Sequence, residues 1–373
     1  MEASFYTKLE AIVRAEWVEF WRNCRHTHPR QHPAFAEIEK VQGRIPIYAV
    51  GREGADMVCA GIFSINPLLF GNKFSLQAMC LRGPAFDDVG AGREFLLQTA
   101  AYFRKLNVGS ICVCPYWFYP QGQQVENMLV ELGFSGTNGS GVTSSPTGLV
   151  DLRRSSDEIF ADLKSKTRQE IRRTERLGVS ISPALSMEET GDFYACLSSL
   201  HRERGLDAIS FAEFKATFEN ILKDQELGIL LSAFCDHTFL GGLWVIRGPQ
   251  TCHYARFVVV RNTLRQLANL TIGPALWWQG MQWAKEKGCS TLDVEGWEDN
   301  LPSCHPRYHL CKLKGRFNPS QAYVLAPHTR MCSGTTYALQ KGCELAVKTA
   351  NLAKGLSYQL KTRWAMYRGA GDT

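Results

Sequence analysis

Two stretches of this chain run through the same order of parts, and that repetition constrains the fold more than any single motif. Residues 44–50 (RIPIYAV), a GREG turn and residues 57–65 (MVCAGIFSI) read as a hairpin. An apolar strand (FSLQAMCL), a helix from Gly92 to Lys105 and a buried strand (SICVCP) follow. Further on come LGILLSAF, a CDHT turn, FLGGLWVI, the strand CHYARFVVV, a helix from Thr271 to Lys287 and the strand STLDVEG. The register is consistent: Gly61 and Gly242 lie 181 positions apart, Ser110 and Ser290 180. A hairpin, a strand, a crossover helix and a further strand make an α/β domain with a mixed sheet, and here the unit occurs twice in tandem.

The run SGTNGSGVTSSPTG, residues 135–148, has neither helical nor strand periodicity and marks the division. The expected organisation is a first domain over 1–145, opened by a helix carrying Leu9, Val13 and Trp17, a second over 146–330, and a helical extension over 331–373. That extension places Leu345, Leu352 and Leu356 on one side, either to pack across both domains or to leave a basic face for RNA or a membrane surface. No apolar run reaches the ~20 residues of a bilayer span, and Glu2 and Glu10 stand where a leader would carry its apolar stretch. The 13 cysteines include no CxxC pair and fit reduced, buried thiols, hence a cytoplasmic protein. A net charge of +6, from 42 basic and 36 acidic residues, tilts the chain modestly toward anionic partners.

Ser155 and Glu158 have capping-box spacing and start a helix on which Lys164, Arg168, Arg172 and Arg176 recur at every fourth residue. Phe160, Leu163 and Ile171 supply its buried side, so the stripe is either a solvated face or a phosphate-binding one. The turn holding Asn269, Thr271 and Gly273 opens the second crossover helix and offers free N–H groups to an anion or an oxyanion, although no Gly-x-Gly is present. Asp293 and Glu295, two apart on STLDVEG, point to one sheet face near a strand end, where α/β clefts open. Lys312, Lys314 and Arg316 would share a side if their segment were extended. Cys304, His305, His309 and Cys311 match no standard zinc spacing, so no metal is expected there. No G-x-S-x-G elbow supports a covalent nucleophile.

The block TGLVDLRRSSDEIFADLKSKTRQEIRRTERLGVSI, the preceding MCLRGPAFDD, and WAKEKGCSTLDVEG followed by LCKLKGRFNP closely resemble the Fem-type branch of the GNAT-fold acyltransferases. The resemblance implies tandem GNAT-like α/β domains, each a mixed central sheet flanked by helices. It implies that Lys314 is the lysine of a Phe-Lys-x-x-Phe signature, with Phe317 as its second aromatic and Leu313 in place of the first. It also makes Asp293 the strand aspartate, Arg168 and Arg172 the basic helix, and Tyr254 a residue of the cleft-lining strand. Asn318-Pro319 stands where a glycine pair is usual, and the coiled-coil insertion of some bridge-forming relatives is absent.

The expected activity is direct N-acyl transfer, with acyl-CoA favoured over aminoacyl-tRNA as co-substrate and no tightly bound cofactor. The acceptor is an amine on a small molecule or a cell-envelope precursor; tRNA and peripheral membrane contact are the further expected partners. Lys314 and the N–H groups near Asn269 and Thr271 would stabilise the oxyanion, with Asp293 or Glu295 on the amine and Lys164, Arg168, Arg172 and Arg176 on phosphate. The competing expectation is a non-catalytic, degenerate acyltransferase that binds RNA or an envelope precursor.

Overall fold

The computed structural model describes residues 1–67, 75–136, 144–267, 269–305 and 307–342. Two mixed sheets carry the repeat. The first has the strand order Glu2–Tyr6, Ile45–Glu53, Asp56–Pro67, Ser75–Cys80, Ser110–Val113, His328–Met331, Ser135–Gly136, with Ala85–Phe86 also on Asp56–Pro67. The second runs Ser320–Leu325, Ser144–Asp151, Thr291–Asp293, Thr251–Val259, Thr238–Arg247, Gly228–Cys235, Ser180–Pro183. Each sheet has one parallel pair among the described residues: Ser75–Cys80 with Ser110–Val113, and Thr251–Val259 with Thr291–Asp293. A helix crosses between the members of each pair, Val89–Lys105 in the first and Gly273–Glu286 in the second, as parallel strands require.

Burial explains the sequence patterns. The helix Gly273–Glu286 is apolar around most of its circumference, with Trp277, Trp278 and Trp283 buried, because one side meets the sheet and another the helix Ser165–Arg176. Gly242 sits where any Cβ would lie 2.6 Å from the Phe193 ring and 2.9 Å from the Leu231 carbonyl, so glycine lets a helix close onto the sheet.

The two halves interlock more than a cut at 145 and 330 suggests. Ser144–Asp151, just past the Gly- and Ser-rich run, pairs with Thr291–Asp293 and Ser320–Leu325 in the second sheet. His328–Met331, which the sequence assigns mostly to the second domain, returns to the first sheet beside Ser110–Val113. Ala34, Phe35 and Ile38 from the first 50 residues share an apolar cluster with Phe193, Phe214 and Trp244. Of the terminal extension, residues 334–342 are helical, with Gln340 accepting from the Ser110 hydroxyl at 2.7 Å; Leu345, Leu352 and Leu356 lie outside the described residues.

Two local readings change. The capping box of Ser155 and Glu158 is present, but its helix ends at Asp162; Leu163 is extended and a second helix spans Ser165–Arg176. Lys164 therefore stands at that helix's N-terminal boundary rather than within a continuous stripe. The segment carrying Lys312, Lys314 and Arg316 is a helix, Tyr308–Lys314, followed by a 3-10 turn Gly315–Phe317, so the three cations do not share a strand face.

Candidate active site

The parallel ladder of the second sheet stops at the pair His253↔Asp293, yet the strand Thr251–Val259 continues while the chain after Asp293 turns away. Residues 254–257 on one side and 294–295 on the other line a cleft of about 620 Å³ that opens where the two strands part. The first domain contributes His28, Arg30, Leu81 and Arg82; the helix Gly191–Glu203 contributes Leu197, Leu200 and His201; the helix Tyr308–Lys314 contributes Leu310 and Lys314. Leu310 and Lys314 are four apart, so they lie on one face of that helix.

Glu295 organises the floor. His253 Nδ1 lies 2.9 Å from Glu295 Oε1 and donates to it, and Arg82 Nη2 donates to Oε2 at 3.0 Å. His28 Nε2 approaches Oε1 at 3.7 Å. Burial alone would raise the Glu295 pKa; the hydrogen bond from His253, the nearby His28 ring and the Arg82 charge outweigh it and hold the carboxyl well below the usual range. Burial also opposes the Arg82 charge, but Glu295 more than offsets it and keeps the guanidinium above its ordinary pKa. Both partners of this ion pair between the domains have left-handed backbones, φ 58° each, which non-glycine residues adopt only when their surroundings impose it. The main-chain carbonyl of Glu295 accepts from Lys314 Nζ, whose pKa burial lowers against the opposing pull of Cys311 and Glu295.

Asp293 lies one layer deeper, 1% exposed, and its oxygens are committed: Tyr116 Oη donates at 2.8 Å, the Glu295 N–H at 2.8 Å, and the Thr147 hydroxyl as well. Tyr116 comes from the first domain, so this acid fastens the two halves together. Asp293→Ala would strand two hydroxyls and an amide in the interior, and unfolding in urea should show a loss of about 2–3 kcal/mol. Unchanged stability would show that water replaces the carboxylate without cost.

His28, His253 and Glu295 place donor atoms within 4.8 Å of one another, a grouping that invites a metal reading. The hydrogen bonding argues otherwise. His28 Nδ1 accepts the Arg30 N–H at 3.1 Å, so the neutral ring carries its proton on Nε2, the atom that faces Glu295. Burial, with His253 adding to it, keeps the His28 pKa well below its ordinary value. Arg82 supplies the positive charge that a cation would bring.

Comparisons with known proteins bear on the fold. The family model "Acetyltransferase (GNAT) domain" matches residues 161–300, which include the parting strands. The solved structure of FemX superposes with a TM-score of 0.76 at 12% identity, covering 91% of this chain and 99% of that one. The chain has a Fem-like tandem GNAT fold. The C-terminal domain of a putative lysylphosphatidylglycerol synthetase from Agrobacterium fabrum (TM-score 0.51, 13% identity, 88% and 95% coverage) shares the fold. So does a tandem GNAT protein from the clavulanic acid biosynthesis pathway (0.50, 12%, 89% and 99%). No curated protein has significant sequence similarity to the chain.

Within this GNAT fold the residues singled out from sequence divide into two groups. Lys314, Glu295 and Tyr254 line the cleft, although the Tyr254 hydroxyl is spent on the Trp277 carbonyl at 2.5 Å and burial raises its pKa well above the ordinary value. Phe317 is 2% exposed and stacks on Trp277 at 5.0 Å, a packing role beneath the site rather than a substrate contact. Asn269, with φ 56°, and Thr271 precede the crossover helix and are not among the cleft's lining residues. Nor do Lys164, Arg168, Arg172 and Arg176 line it. Arg168 donates to the carbonyls of Ala161 and Leu163 at the end of the preceding helix, and Arg172 lies over the Phe160 ring at 5.4 Å. Lys164 borders a separate cavity of about 560 Å³ with Trp297 and Lys312. His28, Arg82 and His253 escaped the sequence reading; Arg82-Gly83-Pro84 marks only a strand end, and nothing local shows that it meets Glu295, 213 positions away.

Proposed function

We propose that the cleft performs direct N-acyl transfer from an acyl-CoA to an amine, within the cytoplasm. The reading rests chiefly on one observation: a gap between parting parallel strands ends at a buried lysine held by the main chain of an ion-paired glutamate. The acceptor nitrogen attacks the thioester carbonyl, a tetrahedral intermediate forms, the C–S bond breaks, and the departing thiolate takes the proton the amine gives up. Lys314 keeps N–H bonds beyond the one given to Glu295 and supplies them to the developing oxyanion. The Glu295 carboxylate, kept ionised, orients the acceptor's ammonium group, which releases one proton to solvent to give the neutral amine that attacks. Arg30, Arg204 and Arg256 border the cleft and suit the donor's phosphates. The acceptor is a free amine or one carried on a cell-envelope precursor.

Calorimetric titration with acetyl-CoA tests the donor without knowledge of the acceptor. Saturable binding in the micromolar range, weakened in Arg256→Ala, is expected. Absence of heat, with salt-sensitive binding of charged tRNA instead, would transfer the reading to an aminoacyl-tRNA donor.

A further inference from the structure

Resting on the acyl-transfer reading, the apolar wall of the cleft narrows the group transferred. Large apolar side chains exposed singly on a surface need no explanation, but several that converge on one concavity do. Leu81 is 39% exposed, Leu206 54% and Leu310 47%, and all three border the same cleft although they come from three separate parts of the chain. Leu197 and Leu200, three apart on the helix Gly191–Glu203, continue that wall, and Ile246 adds to it. The side chain of Leu310 stands one helical turn before Lys314, so an apolar path begins beside the group assigned to the reacting carbonyl and leads outward along the helix. An acetyl group would end at Lys314 and leave these leucines in water. The cleft volume of about 620 Å³ leaves room for more than two carbons.

We infer that the donor carries an acyl chain of several carbons, which lies along Leu310, Leu206 and Leu81 with its carbonyl at Lys314. The leucines exclude water from the chain, while the arginines at the cleft border meet the anionic part of the same donor. Chain length then determines affinity, because each methylene moved from water to the wall contributes to binding.

The test is calorimetric titration of the full chain with acetyl-, butanoyl-, hexanoyl- and octanoyl-CoA at one salt concentration. Affinity should rise about twofold to fourfold per added methylene, so octanoyl-CoA should bind at least about 50-fold more tightly than acetyl-CoA. The double variant Leu206→Ser, Leu310→Ser, whose side chains are exposed and whose folding circular dichroism can verify, should flatten that dependence. Equal affinity for acetyl- and octanoyl-CoA overturns the chain-length inference while leaving acyl transfer intact. Binding by none of the four overturns it together with the CoA-donor reading. A length dependence that persists in the double variant places the chain elsewhere and overturns the assignment of this wall.

Discussion

Lys314→Met should lower the rate of acyl transfer by about 10²- to 10³-fold, the loss typical of a single oxyanion donor removed from a preorganised site. The substitution keeps an unbranched, apolar chain of comparable length in a position that is 9% exposed, so the surrounding packing has little reason to change. What it removes is the ammonium group that the Glu295 carbonyl holds in place. Because the oxyanion exists only after the amine has attacked, the damage should fall on turnover, with donor affinity close to that of the unaltered protein. Single-turnover rates with the tightest-binding acyl-CoA and an amine panel, read beside calorimetric affinities, separate the two effects. Near-normal turnover in Lys314→Met would exclude the lysine from catalysis; an equal loss in binding and turnover would make it a ground-state contact with the donor.

The internal repeat was legible because hairpins and crossover helices are local structures with their own periodicities, and two copies 180 to 181 positions apart support each other. The exchange of strands was not. Ser144–Asp151 and His328–Met331 are ordinary half-buried strands whose partners are chosen by the assembled sheets, and no residue within them names the sheet they join. The same limit governs the site. The spacing of Asp293 and Glu295 correctly put two acids near a strand end, but the strand stops at Asp293 and the left-handed turn at Glu295 gives them different surroundings: one buried under Tyr116 and Thr147, the other open to the cleft. The signature pointed to Lys314, which lines the cleft, whereas the alternation in HLCKLK would put its lysines on one side only in an extended segment. The seven residues Tyr308–Lys314 form a helix instead, with Cys311 buried and the Trp297 indole N–H donating to the Cys311 carbonyl at 3.1 Å. Within the basic stripe a guanidinium can satisfy the free carbonyls at a helix end as readily as a phosphate, and Arg168 does so.

Mild acid should destabilise the protein well before its carboxylates titrate, because His28 is buried in neutral form and the half-buried His32 resists a proton. Burial, with Arg14 and Arg22 adding to it, lowers the His32 pKa to about 4, and burial lowers that of His28 further from its ordinary 6.5, with His253 and Arg82 adding positive surroundings that Glu295 only partly balances. When a folded-state pKa lies below the unfolded value, the unfolded chain binds the extra proton between the two, so stability falls as pH falls. The window opens at the unfolded value of 6.5 and, for His32, closes near pH 4; for His28 it extends lower. Each such histidine contributes a slope of about 1.4 kcal/mol per pH unit inside its window, so His32 alone accounts for a loss of about 3 kcal/mol by pH 4. Glu295 acts in a different range: its depressed pKa gives stability that is fully present above the unfolded value of 4.5 and is lost only below it. Urea unfolding at pH 7.5, 6, 5 and 4.5 should therefore show midpoints that fall continuously from pH 6 downward, and His32→Asn should reduce the slope by removing one of the groups that cannot take a proton without disrupting its surroundings. A flat midpoint between pH 6.5 and 4.5 would mean that these rings reach water on protonation, and that the two domains part at His28 without loss of the folded state.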